Sequence, residues 1–503
     1  MLSKIRKYDL EIVVFVCGAV VMVFELIGSR IMAPYVGTST YVWTSLIGVI
    51  LGSLSAGYYL GGRLADIWPF TKPLSIIIFI SAVAIFFSTI IKDFVSLTAV
   101  VLPFSIEIKS LIISVVLFAP ASFLLGMVSP YAVRLRMKEV EKAGAASGNL
   151  YAISTLGSIV GTFVAGFYLI PRFGSFFSLF ALSFILIFTA LFLVEKEIRH
   201  FFSKKFLSFF LPFLIFFIVY PVAASVFRNK NFVADLDTEY NRIYVNRGVR
   251  HFTSREIISL STDPFGTQAA IFIDDPDELV FEYTKFFKMA EAVKPDAKDA
   301  LMIGGGVYTY PRDFLKNFTE STMDVVEIDP GMTEVAKKYF GLKDDPRMNI
   351  IHQDGRIYLN GNQKKYDVIF LDAFNSFSSI PFQLTTVESV RKISESLKDD
   401  GVVFANIISS IDGDKGKFFR AEYATYKNVF PNVYVFTLNR LKDGSAIQNV
   451  MLVATKEKKP IDFFADSLLA EYSEKLWTHA VADDVPILTD DFAPVEFYKR
   501  MAI

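Results

Sequence analysis

One cysteine, four histidines and three tryptophans are all that 503 residues contain of those types. The lone Cys17 excludes an internal disulfide framework and any multi-cysteine metal centre. His200, His251, His352 and His479 have no metal-ligating spacing, so no metal site is expected. Nor does one charge dominate. The 51 Lys and Arg balance 52 Asp and Glu, a net charge of -1, and bulk electrostatics therefore gives no case for a nucleic-acid partner. No A-x-A-like cleavage site follows the first apolar run, which is expected to be a retained helix. What abounds is apolar sequence. Hydrophobic residues make up 52%, 51 of them Phe, and the mean hydropathy is +0.41. That is too apolar for a wholly soluble chain and points to a lipid bilayer.

The apolar residues are not spread evenly. Residues 1–227 hold long apolar stretches near 10–33, 41–62, 73–92, 109–133, 146–170, 175–194 and 206–227. Each is close to the ~20 residues that a spanning helix needs. Residues 228–299 read as a linker and small β subdomain, and 300–503 as an α/β domain. "SLIGVILGSLSAGYYLGGR" (45–63) recurs as "STLGSIVGTFVAGFYLIPR" (154–172) at a constant offset of 109. The copies are the second and fifth stretches, three spans apart, so they read as an inverted three-helix repeat resembling half of a major-facilitator transporter. Gly48/Gly52, Gly57/Gly61 and Gly157/Gly161 are expected to let helices pack closely. Glu25 lies in the first stretch with Arg30 five residues on, either a functional acid or an ion pair near a helix end.

Lys and Arg in alternate loops put the N-terminus in the cytoplasm. Six spans return the chain to that side. A seventh at 206–227 would place the C-terminal half outside, unless that segment is re-entrant or another span lies near 94–106. Six to eight helices, an inner-membrane location and a cytoplasmic C-terminal domain are the expectation.

Beyond residue 300 short apolar runs alternate with amphipathic ones. "ALMIG", "MDVVEID", "MNIIHQD", "YDVIFLD" and "GVVFANI" read as strands with helices between them, a parallel doubly wound pattern. Ligands of such sheets sit at the carboxyl ends of the strands. Four ends carry candidates: Gly304, Gly305 and Gly306; Glu327; Asp354 with Gly355; and Asp372. Glu327 lies 23 residues after Gly304, the separation at which an acid reaches ribose hydroxyls. Asp354 suits an adenine amino group, and Asp372 the reacting end of a nucleotide. No Lys or Arg follows the glycines within the turn, which suits a ligand without phosphate. The glycines are expected to let the backbone approach a nucleoside.

"VVEIDPGMTEVAKKYFGLKDDPRMNIIHQDGRIYL" followed by "KKYDVIFLDAF" resembles the spermidine synthase family of aminopropyltransferases. The resemblance covers roughly 238–410 and extends to members with a half-transporter-like membrane region. It implies a Rossmann-like, S-adenosylmethionine-methyltransferase-type fold, with "TEYNRIYV" in a small N-terminal β subdomain. It implies that Glu327 binds ribose, Asp354 binds adenine and Asp372 is the catalytic acid. Three places depart from the family. Val307 and Asn375 stand where it has acids, and Phe281, Glu282, Tyr283 where it has Tyr–His–Glu. Asn375, Tyr283 and Glu282 are the expected substrate-binding residues. The expected activity is aminopropyl transfer from decarboxylated S-adenosylmethionine to a polyamine-like amine, with a homodimer left open. One alternative is methyl transfer from intact S-adenosylmethionine to a lipid or small amine. Another is a transporter-like protein with a nucleoside- or polyamine-sensing domain.

Overall fold

The computed structural model describes residues 8–137, 143–193, 231–250, 253–263, 266–373, 380–438, 443–463 and 467–500. The chain divides into two compact units, Met1–Lys230 and Asn231–Ile503.

The described part of the first unit is helical: α1 (Asp9–Val36), α2 (Thr40–Ile67), α3 (Thr71–Val101), α4 (Ile106–Leu117), α5 (Ala119–Gly126), α6 (Val128–Arg136), α7 (Ala143–Val164) and α8 (Ile170–Phe192). A π-helical turn, Ala165–Leu169, joins the last two. Among the described residues, four helical runs are long and apolar enough to cross a membrane, and the bent pair Ile106–Leu117 and Ala119–Arg136 makes a fifth if it is one span. The longest run, Gly144–Phe192, is interrupted at Gly174, whose φ of 68° suits glycine. Helices are the expected form of such segments because each backbone polar group is satisfied within the segment.

No separate span occupies 94–106. Residues 94–101 continue α3, and Lys92, which reads as a loop cation in the sequence, is inside that helix. Its side chain is almost wholly buried and pairs with Asp93 at 2.7 Å, and Asp93 also accepts from the Tyr35 hydroxyl at 2.8 Å. The segment 206–227 lies outside the described residues.

Small residues set the closest helix contacts. A methyl group at Gly157 would lie 2.0 Å from the Phe15 carbonyl oxygen, and at Gly161 2.4 Å from that of Ala19, so α7 lies tight along α1. Gly57 and Gly61 bring α2 equally close to Phe123 and Met127. Gly48 and Gly52 do not act this way, because nothing lies within 4 Å of the position a side chain would take.

The second unit contains two sheets. β1 (Phe232–Asp237), β2 (Arg242–Arg250), β3 (Arg255–Ser261) and β4 (Ala269–Phe272) form an antiparallel four-stranded sheet in sequence order. Two short helices follow, α9 (Glu282–Phe286) and α10 (Met289–Val293). Next come β5 (Asp299–Ile303), α11 (Thr309–Asn317), β6 (Thr322–Val326), α12 (Pro330–Tyr339), β7 (Met348–Ile351), α13 (Gly355–Gly361) and β8 (Tyr366–Leu371). The chain continues through α14 (Val387–Ser396), β9 (Leu397–Ser409), α15 (Lys417–Lys427), β10 (Asn432–Thr437), β11 (Gln448–Thr455), α16 (Ser467–Ser473) and α17 (Val495–Arg500).

The large sheet has the order β10-β11-β9-β8-β5-β6-β7. β7, β6, β5, β8 and β9 are parallel neighbours, as the alternating pattern predicts. β11 is antiparallel to both β9 and β10, so the sheet is mixed rather than purely parallel. A strand inserted next to its hairpin partner must run the other way, because a short connection reverses the chain. This is a Rossmann-like fold of the S-adenosylmethionine-methyltransferase type. β5 and β8 are buried on both faces. Met302 and Phe370 join the core on one side, Leu301, Ile303, Ile369 and Leu371 that on the other. Such strands offer ligands only their ends.

Candidate active site

The strand ends of β5, β6, β7 and β8 bring the predicted residues together. Glu327 follows β6 and is buried. Its Oε2 accepts from the amides of Gly305 at 2.9 Å and Gly306 at 3.1 Å, and its Oε1 from that of Asp329 at 3.0 Å. Burial pushes its carboxyl above the usual range, against the pull of those three amides. The glycine turn also has a task within the fold. Two of its amides hold the glutamate rather than standing free for a ligand.

The three glycines also differ from one another. Gly304 has φ 97°, and a methyl there would lie 2.2 Å from the Asp372 carbonyl oxygen. Gly306 has φ 52° but open space where a side chain would point. Gly304→Ala should therefore unfold several degrees lower and lose activity, because both conformation and space forbid it. Gly306→Ala should lose only about 1 kcal/mol for the left-handed conformation. Thermal denaturation of the two variants checks the order.

Asp354 is the N-cap of α13. Its Oδ1 accepts from the amides of Arg356 at 2.8 Å and Ile357 at 3.0 Å. The cap leaves Oδ2 turned toward Gln383, whose amide lies 3.5 Å away. Gly355 allows α13 to sit against β5, since a methyl there would meet Ile303 at 2.6 Å. Arg356 anchors this corner by donating to Thr386 at 3.1 Å and to Asp490 at 2.6 Å. Asp490, in the loop before α17, is thereby held in an ion pair with the helix that Asp354 caps.

Asp372 follows β8. Protein surrounds its carboxylate, although the residue keeps a partial opening to solvent. Oδ1 accepts from Asn406 Nδ2 at 2.9 Å, and Asn406 Oδ1 accepts from Asn449 Nδ2 at 2.9 Å. The Tyr283 phenol faces the same carboxylate. Burial pushes the Asp372 carboxyl up, and Asn406 and Tyr283 pull it down more weakly. Burial and the Asp372 charge together push the Tyr283 phenol well up.

Of the three predicted substrate residues, Tyr283 is at the site and Asn375 lies outside the described residues. Glu282 is not brought there, which corrects the expectation. Consecutive residues of a helix point about 100° apart. With Tyr283 turned to Asp372, Glu282 is left exposed on α9, pairing with Lys285 at 3.2 Å. Val307 is buried in the apolar core and presents no group to a ligand. Tyr308 takes a left-handed conformation, φ 61°, and its hydroxyl lies 2.6 Å from that of Thr333, which in turn lies 2.9 Å from His352 Nε2.

Sequence reasoning missed Asn406, Asn449, Gln383 and the partners of Asp329. Asn406 and Asn449 are amides inside apolar strand runs, "FANI" and "QNVM", and that mismatch was the available signal. Asp329 accepts from Thr238 at 2.6 Å and Asn241 at 3.0 Å, so the β1–β2 hairpin tip docks beside Glu327. No local pattern announces that contact.

A strand-end glycine turn holding one buried acid, a second acid capping a helix and a third braced by an amide thus lie at the carboxyl ends of neighbouring strands. Residues 280–459 match the family described as spermine/spermidine synthase domain. The chain is spermidine synthase-like, a transferase. A polyamine aminopropyltransferase of Vibrio vulnificus is 28% identical over 241 residues, 45% of this chain and 78% of the relative. A probable polyamine aminopropyl transferase of Bifidobacterium longum is 29% identical over 306 residues, 57% of this chain and 66% of the relative. Among solved structures, a probable spermidine synthase from Corynebacterium glutamicum superimposes with a TM-score of 0.41 at 22% identity, covering 48% of this chain and 86% of that one. Within the synthase domain lie Glu327, Asp354 and Asp372, with Asn406 and Asn449 that brace it. No group of three or more His, Cys, Asp or Glu is placed to hold a metal among the described residues.

Proposed function

We propose that the chain transfers an aminopropyl group from decarboxylated S-adenosylmethionine to a small polyamine-like amine. The observation that carries this reading is the Asp372 carboxylate, enclosed by protein and braced by Asn406 at 2.9 Å, at the end of the strand beside the glycine turn. In this reading Glu327 accepts from the ribose hydroxyls and Asp354 Oδ2 from the adenine amino group. The amine arrives mostly protonated at neutral pH and cannot attack in that form. Asp372 attracts it, takes its proton and orients the nitrogen lone pair. A carbon–nitrogen bond forms at the methylene next to the sulfonium, the carbon–sulfur bond breaks, and its electron pair leaves on sulfur. The products are the extended amine and neutral methylthioadenosine, and the proton passes from Asp372 to solvent.

The apolar helices of the first unit support attachment of this transferase to a bilayer, with the synthase domain on the cytoplasmic face of an inner membrane. Purified protein with the decarboxylated donor and a panel of di- and polyamines should release methylthioadenosine. No release with any amine would sink the reading. Val307, apolar and buried, favours a second reading, because no acid follows the glycines to meet the donor's amino group. That reading is methyl transfer from intact S-adenosylmethionine. Calorimetric titration separates the two: the decarboxylated nucleotide should bind more tightly, and tighter binding of the carboxylated form would favour methyl transfer.

A further inference from the structure

The first unit holds a carboxyl that no part of the proposed transfer uses. Glu25 lies near the middle of α1, a helix of 28 residues that is long and apolar enough to cross a bilayer. It is half-buried and has no hydrogen bond or ion pair among the described residues. Arg30, five residues on, stands about 140° away around the helix and does not pair with it. An acid in such a segment is costly unless a partner or a ligand satisfies it, and it marks a functional site by default.

The helix beside it is irregular at the same height. Gly157 of α7 meets Phe15 and Gly161 meets Ala19, so α7 runs parallel to α1 in steps of four. One more step brings Val23 level with Ala165, the first residue of the π-helical turn, and α1 touches that turn. Glu25 is half a turn beyond Val23, and two turns beyond Gly18 on the same face. Gly18 faces α7: a methyl there would lie 2.3 Å from the Ser154 carbonyl oxygen, and Ser158 donates to the Gly18 carbonyl at 3.2 Å. Glu25 therefore stands on the α7 side of α1, level with the turn.

The two copies of the internal repeat differ here. "AGYYLGGR" (56–63) continues the regular helix α2, whereas "AGFYLIPR" (165–172) widens at Ala165–Leu169. Pro171 stands where the first copy has Gly62. Proline has no N–H for the carbonyl four residues back, and its ring crowds that carbonyl. The Phe167 carbonyl thus loses its α-helical donor. Turns of this kind recur at functional sites.

We propose that Glu25 and the backbone carbonyls of the Ala165–Leu169 turn form a site for one small monovalent metal cation. Oxygen ligands of this type, a carboxylate and carbonyls of a broken helix, suit such an ion. One carboxylate balances one charge. The carboxyl releases its proton to solvent as the ion enters, so the site stays neutral in both states. The first unit then has a ligand of its own, independent of the transfer reading.

The test uses sodium as the probe on the full-length protein in detergent. Dicyclohexylcarbodiimide couples to protonated carboxyls in apolar surroundings, and mass spectrometry of the Glu25 peptide reads the coupling. At one fixed pH, sodium in place of choline should slow labelling at least tenfold and raise the midpoint of thermal unfolding. Glu25→Gln should lose both the label and the sodium-dependent rise. Pro171→Ala gives the Phe167 carbonyl its donor back: Glu25 should still label, and sodium should no longer protect it. Equal labelling and equal melting of the wild type in the two salts overturns the proposal and leaves Glu25 a proton site only. Sodium protection that persists in Pro171→Ala overturns it too, because the turn then supplies no ligand.

Discussion

Asp372→Asn should abolish most of the transfer while leaving the donor nucleotide bound. Asparagine keeps the shape of the side chain and cannot take a proton. Removing a positioned general base typically costs about 10²–10⁴-fold in rate. Nucleotide affinity should stay within a few-fold, because Glu327 and Asp354, not Asp372, are assigned to the sugar and base. The pH profile gives a second readout. The base must be ionised to act, and burial raises its pKa above the ordinary aspartate range. Activity of the wild type should therefore climb with pH through a value higher than a free aspartate would show. That acid limb should be missing from whatever activity the asparagine variant retains. A variant with wild-type turnover and an unchanged acid limb would remove Asp372 from the chemistry.

Glu327→Ala should be the most damaging change to binding and stability together. Three backbone amides, of Gly305, Gly306 and Asp329, lose their acceptor at once. An orphaned buried donor costs ~1–3 kcal/mol, so the loss should be on the order of 3 kcal/mol or more. In a domain of this size that lowers the midpoint of thermal unfolding by about 6–12 °C. Donor affinity should fall at least 100-fold, since both the acceptor for the ribose and the loop shaped around it are gone. Calorimetry with methylthioadenosine and a thermal melt read the two effects separately. Unchanged nucleotide affinity in a folded Glu327→Ala protein would remove the residue from the binding site.

The strands from β5 to β9 were readable because each is a short apolar run ending in a polar residue, and that pattern is what a buried parallel strand requires. The same logic located Glu327 and Asp372, the first polar groups past the buried stretch, and Asp354, which comes after His352 and Gln353 at the end of β7. The antiparallel β11 was not readable as an insertion between β9 and β10, since strand order is a long-range property. Asn406 escaped for the opposite reason. It sits within an apolar strand, where sequence patterning treats a polar residue as noise, yet it is what braces Asp372. Glu282 was misplaced because adjacency in sequence is not adjacency on a helix. Lys92 reads as a loop cation because it is charged, whereas Asp93 beside it, half-exposed and tied to Tyr35, gives it a partner inside α3.

The contact between the β1–β2 hairpin and Asp329 has a thermodynamic consequence. Asp329 gives its amide to Glu327 and takes bonds from Thr238 and Asn241 on its carboxylate. One residue therefore belongs to two bonded neighbourhoods, the proposed nucleoside cleft and the small antiparallel sheet. Whatever free energy a ligand at Glu327 lends to the docked hairpin, the docked hairpin lends back to that ligand. The small sheet is on these terms a reciprocal participant in occupancy, and its docking equilibrium is written into the affinity of the cleft.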